Sequence, residues 1–219
     1  MRLAIMQPYF LPYAGYFRLM CGVDHFVVFD NVQFPRRGWV HRNRLLSSSG
    51  DLAWLTLPLA RAESGTFISA LGFHPNARSL WPDRLARFPA CSRPRGSAQR
   101  IASEMKTLDG RPVDYLVRLL RATATELGLN VPFTMSSALN LPNSSGRSER
   151  IFAICEKLDA TIYVNAPGGR TLYDPSEFAR RGIKLELLPD YRGNTASILQ
   201  RLHEEPALAI RREIEANLV

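Results

Sequence analysis

Between Gln7 and Asn43 the chain crowds most of its side chains that can do chemistry. The first group is Gln7-Pro8-Tyr9-Phe10-Leu11-Pro12-Tyr13-Ala14-Gly15-Tyr16-Phe17. Gly15, at a helix entry, lets a backbone amide approach a phosphate, and the helix N-terminus adds partial positive charge. Tyr13 and Tyr16 flank that glycine on one turn, so both phenols reach the same bound group. Packing alone explains Phe10 and Phe17 as a staple holding the helix on a sheet. It leaves Gln7, at the end of an apolar strand, without a reason. The second group runs Asp30-Asn31-Val32-Gln33-Phe34-Pro35-Arg36-Arg37-Gly38-Trp39-Val40-His41-Arg42-Asn43. Asp30 is expected to serve as a general base or to bind a substrate amine, and His41 to shuttle a proton. Arg36, Arg37 and Arg42 offer a phosphate clamp, while Asn31, Gln33 and Asn43 orient a substrate through their amides. A solvated basic loop with Trp39 packed beneath it is the plain structural alternative, but so mixed a set of side chains favours function.

Weaker signals lie further along. Ser136 and Ser137 are adjacent hydroxyls, and Arg147 and Arg150 stand one helical turn apart, facing a cleft or solvent. Asn165 closes an apolar strand and leads into Gly168 and Gly169, glycines that suit either a close ligand approach or an ordinary turn. Cys21, Cys91 and Cys155 are far apart and form no CxxC pair, which argues against a disulfide framework and a structural zinc site. The four histidines show no ligand spacing, so no metal residues are assigned. Mg²⁺ would enter only with a phosphorylated substrate, and the cofactor is otherwise left open. There is no Walker A motif, no GxGxxG after the first strand and no GxSxG elbow.

These groups need elements to position them. Residues 2–6 make a buried first strand, 14–23 a helix and 25–29 a second strand rich in β-branched and aromatic residues. Strand, loop, helix, strand is the unit of a parallel sheet, in which the loops leaving adjacent strands face one crevice. Residues 30–44 read as a loop, and 53–58 and 66–73 as strands. Helices are expected over 79–88, 97–107 and 112–127, with a Pro/Arg/Ser linker at 89–96. Strands at 133–136, 160–165 and 183–188 then alternate with helices at 147–158 and 175–181, and helices at 195–203 and 206–217 close the chain. The expected fold is α/β, with a parallel-sheet core that is Rossmann-like or HUP/nucleotidyltransferase-like and a helical insertion or cap. Its parts are an N-terminal α/β half with the site loops (1–75), the insertion or cap (76–130) and a C-terminal α/β half with closing helices (131–219).

Composition narrows the partners. The chain has 219 residues and a formal net charge of +8. Of its 28 basic residues, all but Lys106, Lys157 and Lys184 are arginines, whose planar fork grips carboxylate and phosphate. An anionic partner follows, either a small metabolite or RNA. No apolar run approaches the roughly 20 residues that cross a bilayer, and the first residues lack a signal-peptide pattern, so a cytoplasmic protein without membrane insertion is expected. The oligomeric state is left open.

Taken together, several of these residues resemble the WbqC-like protein family. The likeness rests on Gln7-Pro8, Leu11-Pro12-Tyr13-x-Gly15-Tyr16-Phe17, Asp24, Phe29-Asp30-x-Val32-Gln33, Trp39-x-x-Arg42-Asn43 and Trp54-Leu55-Thr56-x-Pro58. It continues more loosely through Ser136-Ser137, Arg147-x-x-Arg150-Ile151, Tyr163, Gly169 and Tyr173. The resemblance implies a bacterial biosynthetic enzyme of the kind linked with O-antigen or other specialised metabolites, with glycine transfer as its suggested chemistry. The chain departs from the family pattern at His41, where asparagine is usual, and at Pro82-Asp83. More distantly, Tyr13-Ala14-Gly15-Tyr16 resembles the HxGH loop of nucleotidylyltransferases and class I aminoacyl-tRNA synthetases, with both histidines replaced. The resulting expectation is a transferase or amide-forming enzyme. It would move an aminoacyl (glycyl, by the resemblance) or amino group to or from an activated sugar or small metabolite, with tRNA a candidate donor. An RNA- or tRNA-binding protein and a nucleotidylyltransferase stand as alternatives.

Overall fold

In the computed structural model, which describes residues 1–141 and 146–218, five short strands lie side by side in one parallel sheet. In chain order the elements begin with β1 (Arg2–Met6), α1 (Ala14–Cys21), β2 (His25–Val28), β3 (Arg42–Leu46) and β4 (Leu52–Thr56). Four helices follow: α2 (Ala77–Ala86), α3 (Pro89–Ser92), α4 (Ala98–Met105) and α5 (Pro112–Glu126). The chain then forms β5 (Phe133–Met135), α6 (Arg147–Lys157), β6 (Ile162–Asn165), α7 (Pro175–Arg180) and β7 (Lys184–Leu187). It closes with α8 (Ile198–Glu204) and α9 (Ala207–Ala216).

The sheet order is β5-β2-β1-β6-β7, with Ala4 of β1 aligned to Phe26 on one side and to Val164 on the other. Period-two alternation divides the strands between two cores. Ala4, Phe26, Val28 and Val164 turn towards α1, α4, α5, α8 and α9. Leu3, Ile5, Val27 and Tyr163 turn towards α6 and α7, meeting Ile151, Ile154, Cys155 and Phe178. The helices of 77–126 belong to the first core, where Trp81 and Tyr115 both donate to the Met105 carbonyl, at 2.7 and 3.1 Å.

Three local readings change, the first being the 89–96 linker, whose Pro89–Ser92 is the short helix α3. Residues 66–73 form no strand: Ile68–Ala70 is a 3-10 turn flanked by single bridges, Gln33 to Phe67 and Leu59 to Phe73. The supposed loop 30–44 instead ends in β3, which pairs antiparallel with β4. There Asn43 and Leu45 face inward while Arg42, Arg44 and Trp54 share the outer face, an alternation that the arginines conceal from a hydrophobicity pattern.

The sheet order decides where a site forms. From β1 the chain crosses through α1 to β2 on one side, whereas β6 lies on the other side of β1 and is reached only after β5 and α6. Connections leaving β1 and β6 therefore diverge, which opens a crevice at the carboxyl ends of these two strands.

Candidate functional site

A cleft of about 1230 Å³ occupies that crevice. Gln7, Tyr9 and Tyr13 line it from the loop after β1, and Asn165, Gly168 and Gly169 from the loop after β6. Val32, Gln33 and Trp39 from the loop after β2 form a second wall, Arg150 of α6 and Asn43 and Arg44 of β3 a third. Asn194–Ser197, ahead of α8, complete it.

The β1 loop is held by backbone-directed bonds. Leu11 adopts φ 48°, the left-handed region, at a cost of order 1–2 kcal/mol for a residue with a Cβ. Its carbonyl accepts from Asn43 Nδ2 at 2.6 Å and from Ser197 Oγ at 2.9 Å, which offsets that strain. Asn43 also donates to the Phe10 carbonyl at 3.1 Å, and the Phe10 amide donates to the Trp39 carbonyl at 2.9 Å. Tyr16 donates to the Gln7 carbonyl at 2.8 Å, and its ring lies 5.5 Å from that of Tyr9. Gly15 is required for a reason other than phosphate approach: a Cβ there would stand 2.8 Å from Tyr191 Cγ and closer still to the Tyr13 ring.

The β6 loop is equally close-packed. Asn165 is 6% exposed, its Oδ1 accepts from the Ala166 amide at 2.8 Å, and a Cβ on Gly169 would sit 2.5 Å from Asn165 Nδ2. Asn165 Nδ2 finds no hydrogen-bond partner among the described residues, and neither does the side-chain amide of Gln7. Both amides line the cleft at neighbouring strand ends.

Its electrostatics have one sign. Among the described lining residues, Arg44 and Arg150 carry charge and no carboxylate does. Arg150 donates to the Asn31 carbonyl, and its guanidinium lies 5.2 Å from the Phe67 ring centroid. Burial raises the Tyr16 and Tyr163 hydroxyls well above the ordinary phenol range; Tyr9 is raised by burial and then by neighbouring Tyr13. These phenols enter the site as neutral hydrogen-bonding groups. Among the described residues no group of three or more His, Cys, Asp or Glu is placed to hold a metal ion.

Of the residues expected from sequence, Gln7, Tyr13, Gly15, Tyr16, Gln33, Asn43, Arg150, Asn165 and Gly169 come together on the cleft wall. Asp30, Asn31, Arg36, His41 and Arg42 are not among the residues that line it. Asp30 is fully buried; its Oδ1 accepts from Ser136 Oγ and the Ser137 amide, both at 2.9 Å, and its Oδ2 from Ser137 Oγ at 2.6 Å. Asn31 Oδ1 takes the Ser136 hydroxyl at 2.7 Å, and Arg36 donates to the Ala62 carbonyl at 2.8 Å. His41 is held down to about 4, first by burial and then by Arg42, with its ring edge-on to Phe34 and its Nδ1 unpartnered among the described residues. Arg42 donates to the Arg37 carbonyl at 2.9 Å and lies over Trp54, 4.3 Å from the ring centroid. The Arg147 side chain lies outside the described residues. Arg44 and the 194–197 segment escaped the sequence reasoning, and Tyr163 and Tyr173 entered it only as part of the family resemblance. The alternation Arg42-x-Arg44 opposite Trp54 was the signal that could have exposed Arg44.

The WbqC-like protein family model matches residues 7–194, a span that takes in most of the cleft-lining residues, and the chain belongs to that family. It is 28% identical over 196 residues to the uncharacterized protein Rv1507c of Mycobacterium tuberculosis, covering 88% of this chain and 83% of that one. No solved structure matches. Among the described residues no helix is long and apolar enough to cross a membrane.

Proposed function

We propose that this WbqC-like protein is a biosynthetic transferase that binds an anionic small metabolite in the switch-point cleft and moves an aminoacyl or amino group to or from it. One observation carries this reading: the unpartnered Gln7 side-chain amide and Asn165 Nδ2 line one cleft with two guanidinium groups, Arg44 and Arg150, and without a described carboxylate. Amide donors suit a carboxylate or acyl oxygen, and the guanidinium groups suit the charge of an activating phosphate or carboxylate. In an amide-forming transfer the substrate amine attacks the activated acyl carbon. The new C–N bond forms as the bond to the leaving group breaks, the leaving group departs with the electron pair, and the amine proton passes to solvent. No protein nucleophile is required, and the chain contributes proximity and charge stabilisation. Glycyl is the group the family resemblance suggests, with an activated sugar or small metabolite as acceptor. Asp30, assigned to proton transfer from sequence, here holds the β2 loop to the Ser136-Ser137 turn.

Gln7 offers a clean test, because its side chain has no hydrogen-bond partner among the described residues that substitution would strand. Native mass spectrometry of the wild-type protein is expected to show a co-purifying anionic small molecule. Gln7→Ala should weaken its binding roughly tenfold, the value of one hydrogen bond to a charged group, with the melting temperature unmoved. Equal retention of that molecule by wild type and Gln7→Ala would remove the amides from the binding site and the proposal with them.

A further inference from the structure

Trp39 is 43% exposed, an unusual place for an indole, and it lines the cleft. It does not stand alone. Its ring lies 5.6 Å from that of Trp54, inclined at 38°, and Trp54 is itself 42% exposed. Behind Trp54 come two guanidinium groups, Arg42 at 4.3 Å and Arg44 at 5.6 Å from the ring centroid. Arg42 is tied back to the Arg37 carbonyl, so it braces the pair from one side. Arg44 is exposed and also belongs to the cleft wall. The antiparallel register sets Arg44 directly opposite Trp54, which fixes cation and ring side by side.

From this arrangement we infer that the cleft mouth holds a nucleotide: its base stacks on Trp39, backed by Trp54 and Arg42, and its phosphates face Arg44. The inference rests on the reading of the cleft as an anion-binding transfer site and names the handle by which the activated substrate is held. Three features select this ligand. A planar aromatic ring matches an exposed indole, and stacking on an aromatic side chain is tolerant of which base is presented. Negative charge next to that ring matches Arg44, beside the indole pair. Continuity of Trp39 and Arg44 with the wall that carries Gln7 and Asn165 places a group linked to the phosphates within the same cleft. A nucleotide-linked metabolite has these parts in that order: base, phosphates, transferable or accepting group.

The test is calorimetric titration of the full chain with uridine, cytidine, adenosine and guanosine diphosphates, with inorganic pyrophosphate and with an eight-nucleotide single-stranded RNA. At least one nucleoside diphosphate is expected to bind about tenfold tighter than pyrophosphate, the increment of one stacked base. Trp39→Ala should erase that difference, Trp39→Phe should keep most of it, and Arg44→Ala should weaken pyrophosphate and nucleotide alike. Equal affinity for pyrophosphate and every nucleoside diphosphate would overturn the stacking site while leaving the anion-binding cleft standing. A difference that survives Trp39→Ala also overturns it. Binding of the RNA alone, falling steeply with salt, replaces the nucleotide with a polynucleotide. Failure of all of these ligands overturns the nucleotide handle, and the Gln7→Ala comparison then judges the cleft by itself.

Discussion

Asp30 shows how far a residue type can mislead when its partners are a hundred positions away. A carboxylate at the end of a strand, amid amides and arginines, has the appearance of a general base. Its two oxygens are instead consumed by three donors from Ser136 and Ser137, beyond the reach of any local pattern. Replacing it with asparagine turns one acceptor into a donor against those hydroxyls and leaves a buried polar group unsatisfied. Asp30→Asn is therefore expected to lower stability by about 2 kcal/mol, read as a drop of about 5 °C in melting temperature. Nucleotide or metabolite affinity below the transition should remain within a few-fold of wild type. Loss of turnover with an unmoved melting curve would return Asp30 to the role of base. Gln7, Tyr13, Gly15, Tyr16 and Asn165 were legible as cleft-lining residues because each lies at a strand end or in the strand-to-helix connection that leaves it. The arginines were legible only as a class: sequence places guanidinium groups in the loop, but not which ones turn to Trp54, Ala62 or the cleft.

At the scale of elements, alternating apolar residues made β1, β2 and β6 readable, and the order of strands and helices pointed to a parallel sheet. Which strand lies beside which was not readable, since pairing of β1 with β6 joins residues some 160 positions apart. Sequence set the crevice between the loops after β1 and β2, both of which line the cleft, and the switch point between β1 and β6 adds the glycine loop after Asn165, raised from a weak signal to a wall. In the β3–β4 hairpin, β4 is readable as a strand over 53–58, but β3 escaped because the outer face it shares with β4 is arginine and tryptophan rather than a simple polar stripe. Asn43 is its inward-facing pin: two donated bonds reach Phe10 and Leu11, and its Oδ1 accepts from the Arg44 amide at 2.7 Å. Asn43→Ala strips that pin from a strained backbone and strands two buried carbonyl contacts. A loss of about 2–3 kcal/mol is expected, measured as a lower urea midpoint with an unchanged slope. A midpoint within experimental scatter of wild type would mean that Ser197 alone fixes the Leu11 turn.

Across the whole molecule, the two ends of the chain share one wall of the cleft. Arg201, 2% exposed, grips Glu205 through two bonds of 2.8 and 2.6 Å and Glu213 through a third of 2.6 Å. The same Glu213 oxygen takes the Tyr191 hydroxyl and the Asn194 amide. Burial would raise the Glu213 carboxyl, but the bonds from Arg201 and Tyr191 outweigh it and hold the group below its ordinary value. Tyr191 in turn packs against Tyr13 at 5.3 Å and leans on Gly15, with the Arg18 guanidinium 5.1 Å from its ring centroid. Arg18 closes the loop by donating to the carbonyls of Pro189 and Asn217, at 2.9 and 2.8 Å. The 194–197 segment that lines the cleft is thus anchored by α8 and α9, and the β1 loop leans on that anchor. Removing a buried guanidinium from its carboxylates typically costs about 3–5 kcal/mol. Arg201→Met should incur a loss towards the lower end of that range, since Glu205 and Glu213 retain some solvent contact. The coupling makes a sharper forecast than stability alone. Arg201→Met should weaken ligand binding several-fold at a temperature where the variant is still folded, because Tyr191 and Asn194 lose the carboxylate that seats them, whereas Gln7→Ala should weaken binding with no thermal penalty. Calorimetric affinity measured beside melting curves separates the two, and full affinity in a destabilised Arg201→Met would show that the carboxyl-terminal helices support the fold without shaping the cleft.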